Sequence, residues 1–263
     1  MNALPAFLTA HPDVVLVDVV EAKGSTPREA GAFMVVAADG LFGTIGGGQL
    51  EFLAIDNARK LLASGERNSS LDVPLGPEIG QCCGGRTRLS FTRIDGSGKA
   101  ALLDRQQKIE NAYPDVFLFG AGHVGLALAA ALRPLPLNVT LVETREMDDK
   151  TMPAGIVHRR VAMPEAEVAT IRPGGAAVIL THDHALDFLI ARQALARPGL
   201  AYVGMIGSAT KRATFAHWLL REGGDQTMLD RLVLPIGGST LRDKRPAVIA
   251  ALVAAELLAV LLG

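Results

Sequence analysis

The sequence predicts an α/β protein of two domains, in which a smaller N-terminal α+β domain precedes a larger domain built on a parallel sheet. Three observations support this prediction. In the first half, apolar runs typical of strands are joined by loops around one helical stretch. From Asp115 onward, short β-rich runs alternate with helical stretches, as in parallel sheets covered by helices. Between the halves, Asp95-Gly96-Ser97-Gly98 has the composition of a flexible linker. We therefore expect domains at residues 1–97 and 98–263.

The individual elements follow from the same patterns. In the first domain, strands are expected at Val14–Val20, Ala32–Ala38 and Arg86–Ile94. A helix is expected between Gly48 and Ser64, because apolar residues recur there at helical spacing. The second domain is expected to begin with a connecting helix and then to contain five parallel strands, at residues 116–119, 139–142, 176–180, 201–206 and 232–234.

Composition narrows the class of partner. The 263 residues carry a net charge of −1, so no overall field attracts nucleic acid or an anionic membrane. The stretch Pro246–Leu262 is apolar except for Glu256, but it is shorter than the roughly 20 residues that span a bilayer. We expect a buried helix or a subunit interface there, hence a homodimer and no membrane or nucleic-acid partner.

The cysteine usage indicates a location. The chain has two cysteines, adjacent in sequence, and Met1–Ala10 lacks the features of a secretory signal. Unpaired thiols are typical of a reducing compartment, so the cytoplasm is the expected location.

A glycine fingerprint follows the first strand of the second domain. Gly120, Gly122 and Gly125 fit the pattern G-x-G-x-x-G between a strand and a helix, and Glu143 ends the next strand, where an acid that binds ribose is expected. This arrangement predicts a Rossmann-like domain with NAD(P) as a candidate cofactor. Two alternatives stay open: the glycines serve packing alone, and Arg145 either favours a 2′-phosphate or is a solvated surface charge.

A polar segment follows the third strand of this domain. His182 and His184, with the neighbouring Asp183 and Asp187, are residue types that hold a divalent metal. The alternative is a polar wall of the cleft, in which Asp183 is the N-cap of a helix.

Three glycine-rich loops stand out in the first domain. Glu21 to Arg28 offers hydroxyl groups, backbone amides and a guanidinium, which together suit a phosphate or a flat polar heterocycle. Gly46, Gly47 and Gly48 precede a helix and predict a second anion-binding loop. The alternative interpretation of both is a pair of ordinary turns.

The third loop holds Cys82 and Cys83. Neighbouring Cα atoms lie about 3.8 Å apart, closer than a disulfide prefers, so both are expected to be free thiols. The following glycines offer backbone amides that favour a thiolate, which binds a soft metal or carries sulfur. The alternative is a pair of inert, buried cysteines.

Taken together, these motifs resemble a known family. Gly24-Ser25-Thr26-Pro27-Arg28 after Glu21, Gly46-Gly47-Gly48-Gln49-Leu50-Glu51 and Gln81-Cys82-Cys83-Gly84-Gly85 resemble the N-terminal domain of the xanthine dehydrogenase accessory proteins, the XdhC/CoxI family. The fingerprint, Thr181-His182-Asp183-His184 and Gly204-Met205-Ile206-Gly207-Ser208 with Lys211-Arg212 resemble its Rossmann domain. The chain departs from the family at Leu234, where a cysteine is usual, and at Val248, where an acid is usual.

The resemblance implies a chaperone for the molybdenum cofactor (molybdopterin). Such a protein binds the cofactor while a cysteine desulfurase replaces one oxo ligand by sulfur, and then delivers it to apo xanthine dehydrogenase or a related molybdoenzyme. The resemblance places Cys83 or Cys82 at the molybdenum, with Arg28 and the Gly46 to Gly48 loop at the pterin or phosphate. Gln81 would donate a hydrogen bond, and Glu21, Ser25 and Gln49 complete the expected binding set.

Two other functions fit parts of the sequence. An NAD(P)-dependent oxidoreductase would use the fingerprint, but no Tyr-x-x-x-Lys motif accompanies it and the thiols would have no role. A nucleotide-sensing regulatory protein would also use the fingerprint, although no DNA-binding motif or basic patch is present.

Overall fold

The computed structural model describes residues 3–76, 84–148, 152–238, 241 and 243–263. The chain divides into two compact units, Met1–Gln107 (unit 1) and Lys108–Gly263 (unit 2), each with its own hydrophobic clusters. The boundary between them falls within a helix, Gly96–Ala112, so the stretch predicted as a linker instead begins this helix. The reason is a cap: an Asp95 carboxylate oxygen accepts a hydrogen bond from the Gly98 N–H at 3.0 Å.

Unit 1 is an antiparallel sheet between helices. In chain order its elements are α1 (Ala3–Ala10), β1 (Val14–Lys23), β2 (Phe33–Val36), β3 (Leu41–Gly43), α2 (Gly48–Ser64), β4 (Asn68–Pro74), β5 (Arg86–Ile94) and α3 (Gly96–Ala112), which continues into unit 2. The strand order is β3-β2-β1-β5-β4. Helix α2 buries Leu50, Ala54, Ala58 and Leu61 against one sheet face. On the other face, α1 and Leu102 of α3 form a second cluster with Val14 and Val35.

A β-bulge at Val20 changes which face of β1 each side chain occupies. Before the bulge, Val15, Val17 and Val19 point into the cluster under α2. After it, Glu21 pairs with Arg88 and Lys23 pairs with Arg86, on the face opposite α2. The bulge therefore places charged side chains beside the loops that follow β1, which is a common use of bulges near functional sites.

Unit 2 is a parallel sheet with helices on both faces. Its elements after α3 are β6 (Asp115–Phe119), α4 (His123–Leu132), β7 (Asn138–Glu143), β8 (Val157–Arg160), α5 (Pro164–Glu167), β9 (Ala176–Ile179), α6 (His184–Leu195), β10 (Tyr202–Met205), α7 (Ala209–Arg221), α8 (Gln226–Asp230), β11 (Leu232–Val233) and α9 (Pro246–Leu261). One turn of 3₁₀ helix, Val168–Thr170, follows α5.

The strand order of this sheet is β11-β10-β9-β6-β7-β8, and every pair is parallel. Counted within the unit, this is the order 3-2-1-4-5-6 of dinucleotide-binding folds. The order reverses between β6 and β9, so the ligand crevice of such folds lies above the carboxyl ends of these two strands. The predicted fold class, a Rossmann-like domain after a smaller α+β domain, is confirmed.

The lone acid of the apolar last helix has a structural role. A carboxylate oxygen of Glu256 accepts hydrogen bonds from the Tyr202 hydroxyl and the Gly237 N–H, both at 2.9 Å. Helix α9 buries Val253 and Leu257 in a cluster shared with α4. Within the described part of the chain, no helix has both the length and the apolarity that crossing a bilayer requires.

Candidate functional site

The three glycine-rich loops of unit 1 meet at one end of its sheet. Lys23 at the end of β1 pairs with Arg86 at the start of β5, and Pro74 at the end of β4 pairs with the same residue. Gly43 at the end of β3 pairs with Met34, next to the start of β2. The connections after β1, β3 and β4 therefore all leave from this end, which we call the loop edge.

Close backbone approach holds these loops together. A Cβ atom on Gly85 would lie 2.2 Å from the Ser25 carbonyl oxygen, and one on Gly46 would lie 2.3 Å from the Pro27 Cβ. No side chain other than hydrogen fits at either position. The glycines are thus required by the contact of one loop with the next, which the sequence motif alone does not reveal.

The cysteine loop begins and ends on the loop edge. The Leu75 N–H donates to the Gly85 carbonyl, and the Gly84 N–H donates to the Leu75 carbonyl, each at 2.8 Å. These bonds extend the β4–β5 ladder by one step beyond Pro74 and Arg86. The predicted site residues Gln81, Cys82 and Cys83 lie outside the described residues.

Several groups at the loop edge are open to a ligand. Ser25, Arg28 and Gln49 are exposed. Among the described residues, none forms an ion pair or hydrogen bond with the Arg28 guanidinium. Helix α2 begins here after Gly47, with no side chain capping its N–H groups. A free guanidinium and uncapped helix amides in one place favour an anion.

A carboxylate on α2 fixes the turn before the helix. Glu51 Oε1 accepts hydrogen bonds from the Thr44 hydroxyl and, at 3.1 Å, from the Ile45 N–H. The Thr44 hydroxyl oxygen accepts in turn from the Gly46 N–H at 3.1 Å. This network sets the path of the triple-glycine loop. Thr44 was not predicted as a site residue, because its role depends on the turn geometry.

Glu21, a predicted binding residue, belongs to a cluster of charges beside the loop edge. Its carboxylate lies 2.5 Å from Lys23 Nζ and 3.3 Å from Arg88 Nη1. Asp72 accepts two hydrogen bonds from Arg86, at 2.6 and 3.0 Å. The hydrogen bond from Lys23 lowers the pKa of Glu21. Glu21 therefore positions neighbouring cations. Lys23, Arg86 and Arg88 share the two acids Glu21 and Asp72, and these three cations were not predicted as site residues from the sequence.

In unit 2, the glycines of the fingerprint have different surroundings. A Cβ on Gly120 would lie 2.7 Å from the backbone of Leu180, and one on Gly125 would lie 2.0 Å from the Gly120 carbonyl oxygen. Within the described part of the chain, a Cβ on Gly122 would meet nothing within 4 Å, and the φ of −73° at Gly122 suits any residue. Packing therefore accounts for Gly120 and Gly125, but not for Gly122.

Glu143, the predicted ribose acid, is 4% exposed and fully hydrogen-bonded. Its oxygens accept from the backbone N–H groups of Ala121, Thr144 and Arg145, at 2.9, 2.8 and 3.1 Å. They also accept from the Thr144 hydroxyl and from Arg145 Nε and Nη2, at 3.2, 3.2 and 2.8 Å. Burial raises the pKa of this carboxyl, but the hydrogen bonds from Arg145 and the backbone outweigh burial and lower the pKa to about 2.

The polar segment after β9 has structural partners. The Asp183 carboxylate caps α6 by accepting from the Ala185 and Leu186 N–H groups, which confirms the predicted N-cap. Asp187 is fully buried, accepts from the Thr181 hydroxyl at 2.6 Å and pairs with Lys211 Nζ. His182 and His184 are exposed. In the part of the chain that the structure describes, no three His, Cys, Asp or Glu side chains are grouped to hold a metal.

The second half of the predicted Rossmann motifs is also structural. Lys211 donates to the Ile206 carbonyl at 3.0 Å, so it ties α7 to the loop after β10. Arg212 donates to the carbonyls of Leu232 and Leu234 at 2.9 and 3.3 Å. Both cations hold the carboxyl ends of β10 and β11 in place. The sequence shows the motif but not which atoms it binds.

An antiparallel unit with converging glycine loops, followed by a parallel unit with Rossmann strand order, defines a two-domain α/β protein with a Rossmann-like second unit. Residues 7–72 match the XdhC and CoxI family, and residues 116–257 match the XdhC Rossmann domain. The chain belongs to the XdhC and CoxI family.

Two relatives illustrate the similarity. The chain is 29% identical over 253 residues to the uncharacterized protein YqeB of Escherichia coli strain K12. The match covers 93% of this chain but 43% of YqeB, so the chain spans less than half of that relative's length. A crystal structure described as a xanthine dehydrogenase from Bacillus halodurans superposes with a TM-score of 0.80, covering 98% of this chain and 94% of that chain. At 17% identity, that likeness shows the fold alone.

Proposed function

We propose that this protein is a maturation factor that binds the molybdenum cofactor, holds it while a cysteine desulfurase replaces an oxo ligand by sulfur, and inserts it into apo xanthine dehydrogenase or a related molybdoenzyme. Membership of the XdhC and CoxI family supports a maturation role.

The observation that carries this proposal is the convergence of three loops at the loop edge of unit 1. The molybdenum cofactor, which would be the cargo of this protein, has a pterin, a phosphate and a molybdenum held by a dithiolene. It therefore needs a planar hydrogen-bond partner, an anion-binding backbone and a soft ligand. Arg28 supplies the first, the start of α2 supplies the second, and the loop that leaves from Gly76 and returns at Gly84 carries the thiols.

The loop edge fits such a cargo in two further respects. Gly47 and Gly84 have φ of +79° and +69°, and a Cβ at either would meet no atom of the described residues within 4 Å. Their backbones are therefore accessible to a ligand from outside. Glu51 and Thr44 hold the turn before α2, so the amides are already positioned before binding.

Within this proposal, each predicted residue has a role. Cys83 or Cys82 supplies the sulfur ligand to molybdenum, and Gln81 donates a hydrogen bond to the cargo. Ser25 and Gln49 are exposed in the loops of the loop edge and supply polar contacts. Glu21 acts indirectly, because its carboxylate holds Lys23 and Arg88 in place beside the loop edge.

The experiment is to purify the protein from cells that make molybdopterin, and to quantify bound pterin by the fluorescence of its oxidised form. Wild type is compared with Cys82→Ala, Cys83→Ala and Arg28→Ala. Arg59→Ala is the matched control, because Arg59 is also exposed but lies about three turns along α2 from the loop edge. We expect pterin to be lost in Arg28→Ala and in at least one cysteine variant, and retained in Arg59→Ala.

The other outcomes discriminate between functions. Pterin retained in both cysteine variants and in Arg28→Ala would exclude the loop edge as the binding site. Turnover of NADH or NADPH with a small substrate, without bound pterin, would favour an oxidoreductase. The proposed transfer is tested by adding the loaded protein and a cysteine desulfurase to apo xanthine dehydrogenase and measuring the activity of that enzyme.

The expected homodimer is tested separately, by measuring the mass of the protein in analytical ultracentrifugation.

A further inference from the structure

A crevice at the switch point of unit 2 is lined by residues other than those proposed for the molybdenum cofactor. Its walls come from the loop after β6, the end of β7 and the loop after β9, and its lining includes Gly120, Glu143, Thr144, Pro164, Thr181 and His182. Strand order alone makes this the place where an open α/β sheet binds a ligand. The surroundings of Gly122, Glu143 and Arg145 narrow the chemistry of that ligand.

Gly122 points to a ligand that approaches the backbone. It has ordinary extended dihedral angles, and the described residues leave open space where a Cβ would stand, so their packing does not require glycine there. It also immediately precedes α4, a helix of 10 residues without a side-chain cap. A pyrophosphate above this turn explains the missing side chain, because a Cβ would occupy the space that the ligand needs.

Glu143 is not free to bind a ribose diol. A carboxylate has about four lone-pair directions, and Glu143 already accepts six hydrogen bonds. Three come from backbone groups, which cannot leave without unfolding the turn. A 2′,3′-diol therefore gains access only by displacing the Arg145 guanidinium, which breaks a charge-assisted pair.

Arg145 has donors left for an anion. Its side chain is 52% exposed, and only Nε and Nη2 bond to Glu143. Among the described residues, no acceptor bonds to Nη1. An incoming phosphate can thus bind the free Nη1 donor of the guanidinium while the pair with Glu143 stays intact. Arg145 also neutralises the Glu143 carboxylate, which would otherwise repel the phosphate.

We propose that this crevice binds an adenine dinucleotide that carries a 2′-phosphate, NADP(H) in preference to NAD(H), and that Arg145 determines the preference. Removal of Arg145 leaves the charge of Glu143 without its neutralising partner, so the carboxylate repels a 2′-phosphate, while its four remaining hydrogen bonds still leave no lone pair for a diol. The preference for the 2′-phosphate is therefore lost when one side chain is shortened.

The test is calorimetric titration of the full-length protein with NADP⁺ and NAD⁺, and with adenosine 2′,5′-bisphosphate and AMP to isolate the ribose subsite. We expect wild type to bind each 2′-phosphorylated ligand about 10-fold or more tightly than its counterpart. Arg145→Ala is expected to lose about 10- to 100-fold in NADP⁺ affinity and to change little in NAD⁺ affinity. Arg145→Lys, which keeps the charge without the planar fork, should fall between the two.

Two controls separate the alternatives. Arg221→Ala removes one exposed charge at the end of α7 and should change neither affinity. Gly122→Ala should weaken both nucleotides alike and leave their ratio unchanged. A wild-type protein that prefers NAD⁺, an Arg145→Ala variant with an unchanged ratio and unchanged melting temperature, or no binding of either nucleotide at about 1 mM would each overturn the proposal.

Discussion

At the scale of single residues, glycines that look alike in sequence are glycine for different reasons. Gly120 and Gly125 have backbone atoms where a Cβ would stand, whereas Gly122 has open space. The spacing of the fingerprint predicts all three, but only coordinates separate packing from ligand access. Glu143 shows the same limit: the sequence predicts its position, whereas its ion pair with Arg145 is visible only in the folded structure.

The first prediction concerns the stability of two fingerprint variants. Gly125→Ala should lower the free energy of unfolding by about 1–3 kcal/mol or more, because the new methyl group would lie 2.0 Å from the Gly120 carbonyl oxygen. Gly122→Ala should change it by less than about 0.5 kcal/mol. Urea denaturation measures both. Equal losses in the two variants would contradict the assigned surroundings.

The second prediction concerns the pH dependence that Glu143 confers. Its pKa falls from an ordinary 4.5 to about 2 in the folded protein, so its contribution is fully present above about pH 4.5 and is lost as the pH falls toward 2. Wild type should exceed Glu143→Gln in unfolding free energy at pH 7, with a pH-dependent part of up to about 3 kcal/mol. The gap should narrow in urea titrations between pH 4.5 and 3. A difference in unfolding free energy between wild type and Glu143→Gln that stays constant with pH would contradict the lowered pKa of Glu143.

At the scale of elements, strands were predicted where apolar residues cluster and missed where they do not. Strand β8 contains Val157-His158-Arg159-Arg160 at a sheet edge, and β4 buries only Val73. Their pairing comes from backbone hydrogen bonds to a neighbouring strand, which leaves little trace in the side-chain pattern. The start of α3 was missed for another reason, since the Asp95 cap outweighs the glycines that follow it.

The third prediction tests how α2 organises the loop edge. Glu51→Ala removes the acceptor of the Thr44 hydroxyl and the Ile45 N–H, so the turn should loosen. We expect a loss of about 1 kcal/mol in unfolding free energy and a lower content of bound pterin. Asp56→Ala is the control, because it breaks only an exposed pair with Lys60 on the same helix. Similar pterin content in the two variants would argue against a role for this turn.

At the scale of the whole molecule, the two units have separate hydrophobic clusters, and one spectroscopic probe reports on only one of them. The chain has a single tryptophan, Trp218, whose ring lies 5.5 Å from Phe188 and 5.9 Å from Phe215 in unit 2. Leu89 is fully buried in the main cluster of unit 1. The sequence indicated two domains from a change in periodicity, but the helix α3 that joins them hides the boundary.

The fourth prediction uses the fact that the single tryptophan reports on unit 2 and not on unit 1. Leu89→Ala should destabilise unit 1 by about 2–5 kcal/mol. We expect far-UV circular dichroism to show an early transition in denaturant, while the midpoint reported by Trp218 fluorescence stays at its wild-type value. Phe215→Ala, in the cluster of unit 2, is the reciprocal variant. Coincident shifts in both signals would show that the two units unfold as one.

The clamped ends of the cysteine loop have an evolutionary consequence. Leu75 bonds to both Gly84 and Gly85, and these bonds fix the separation of the ends whatever lies between them. Segments of other lengths or thiol spacings can therefore be grafted between Gly76 and Gly84 at a modest entropic cost, without altering the register of β4 and β5. The sheet thus acts as a constant frame for the segment that carries the thiols.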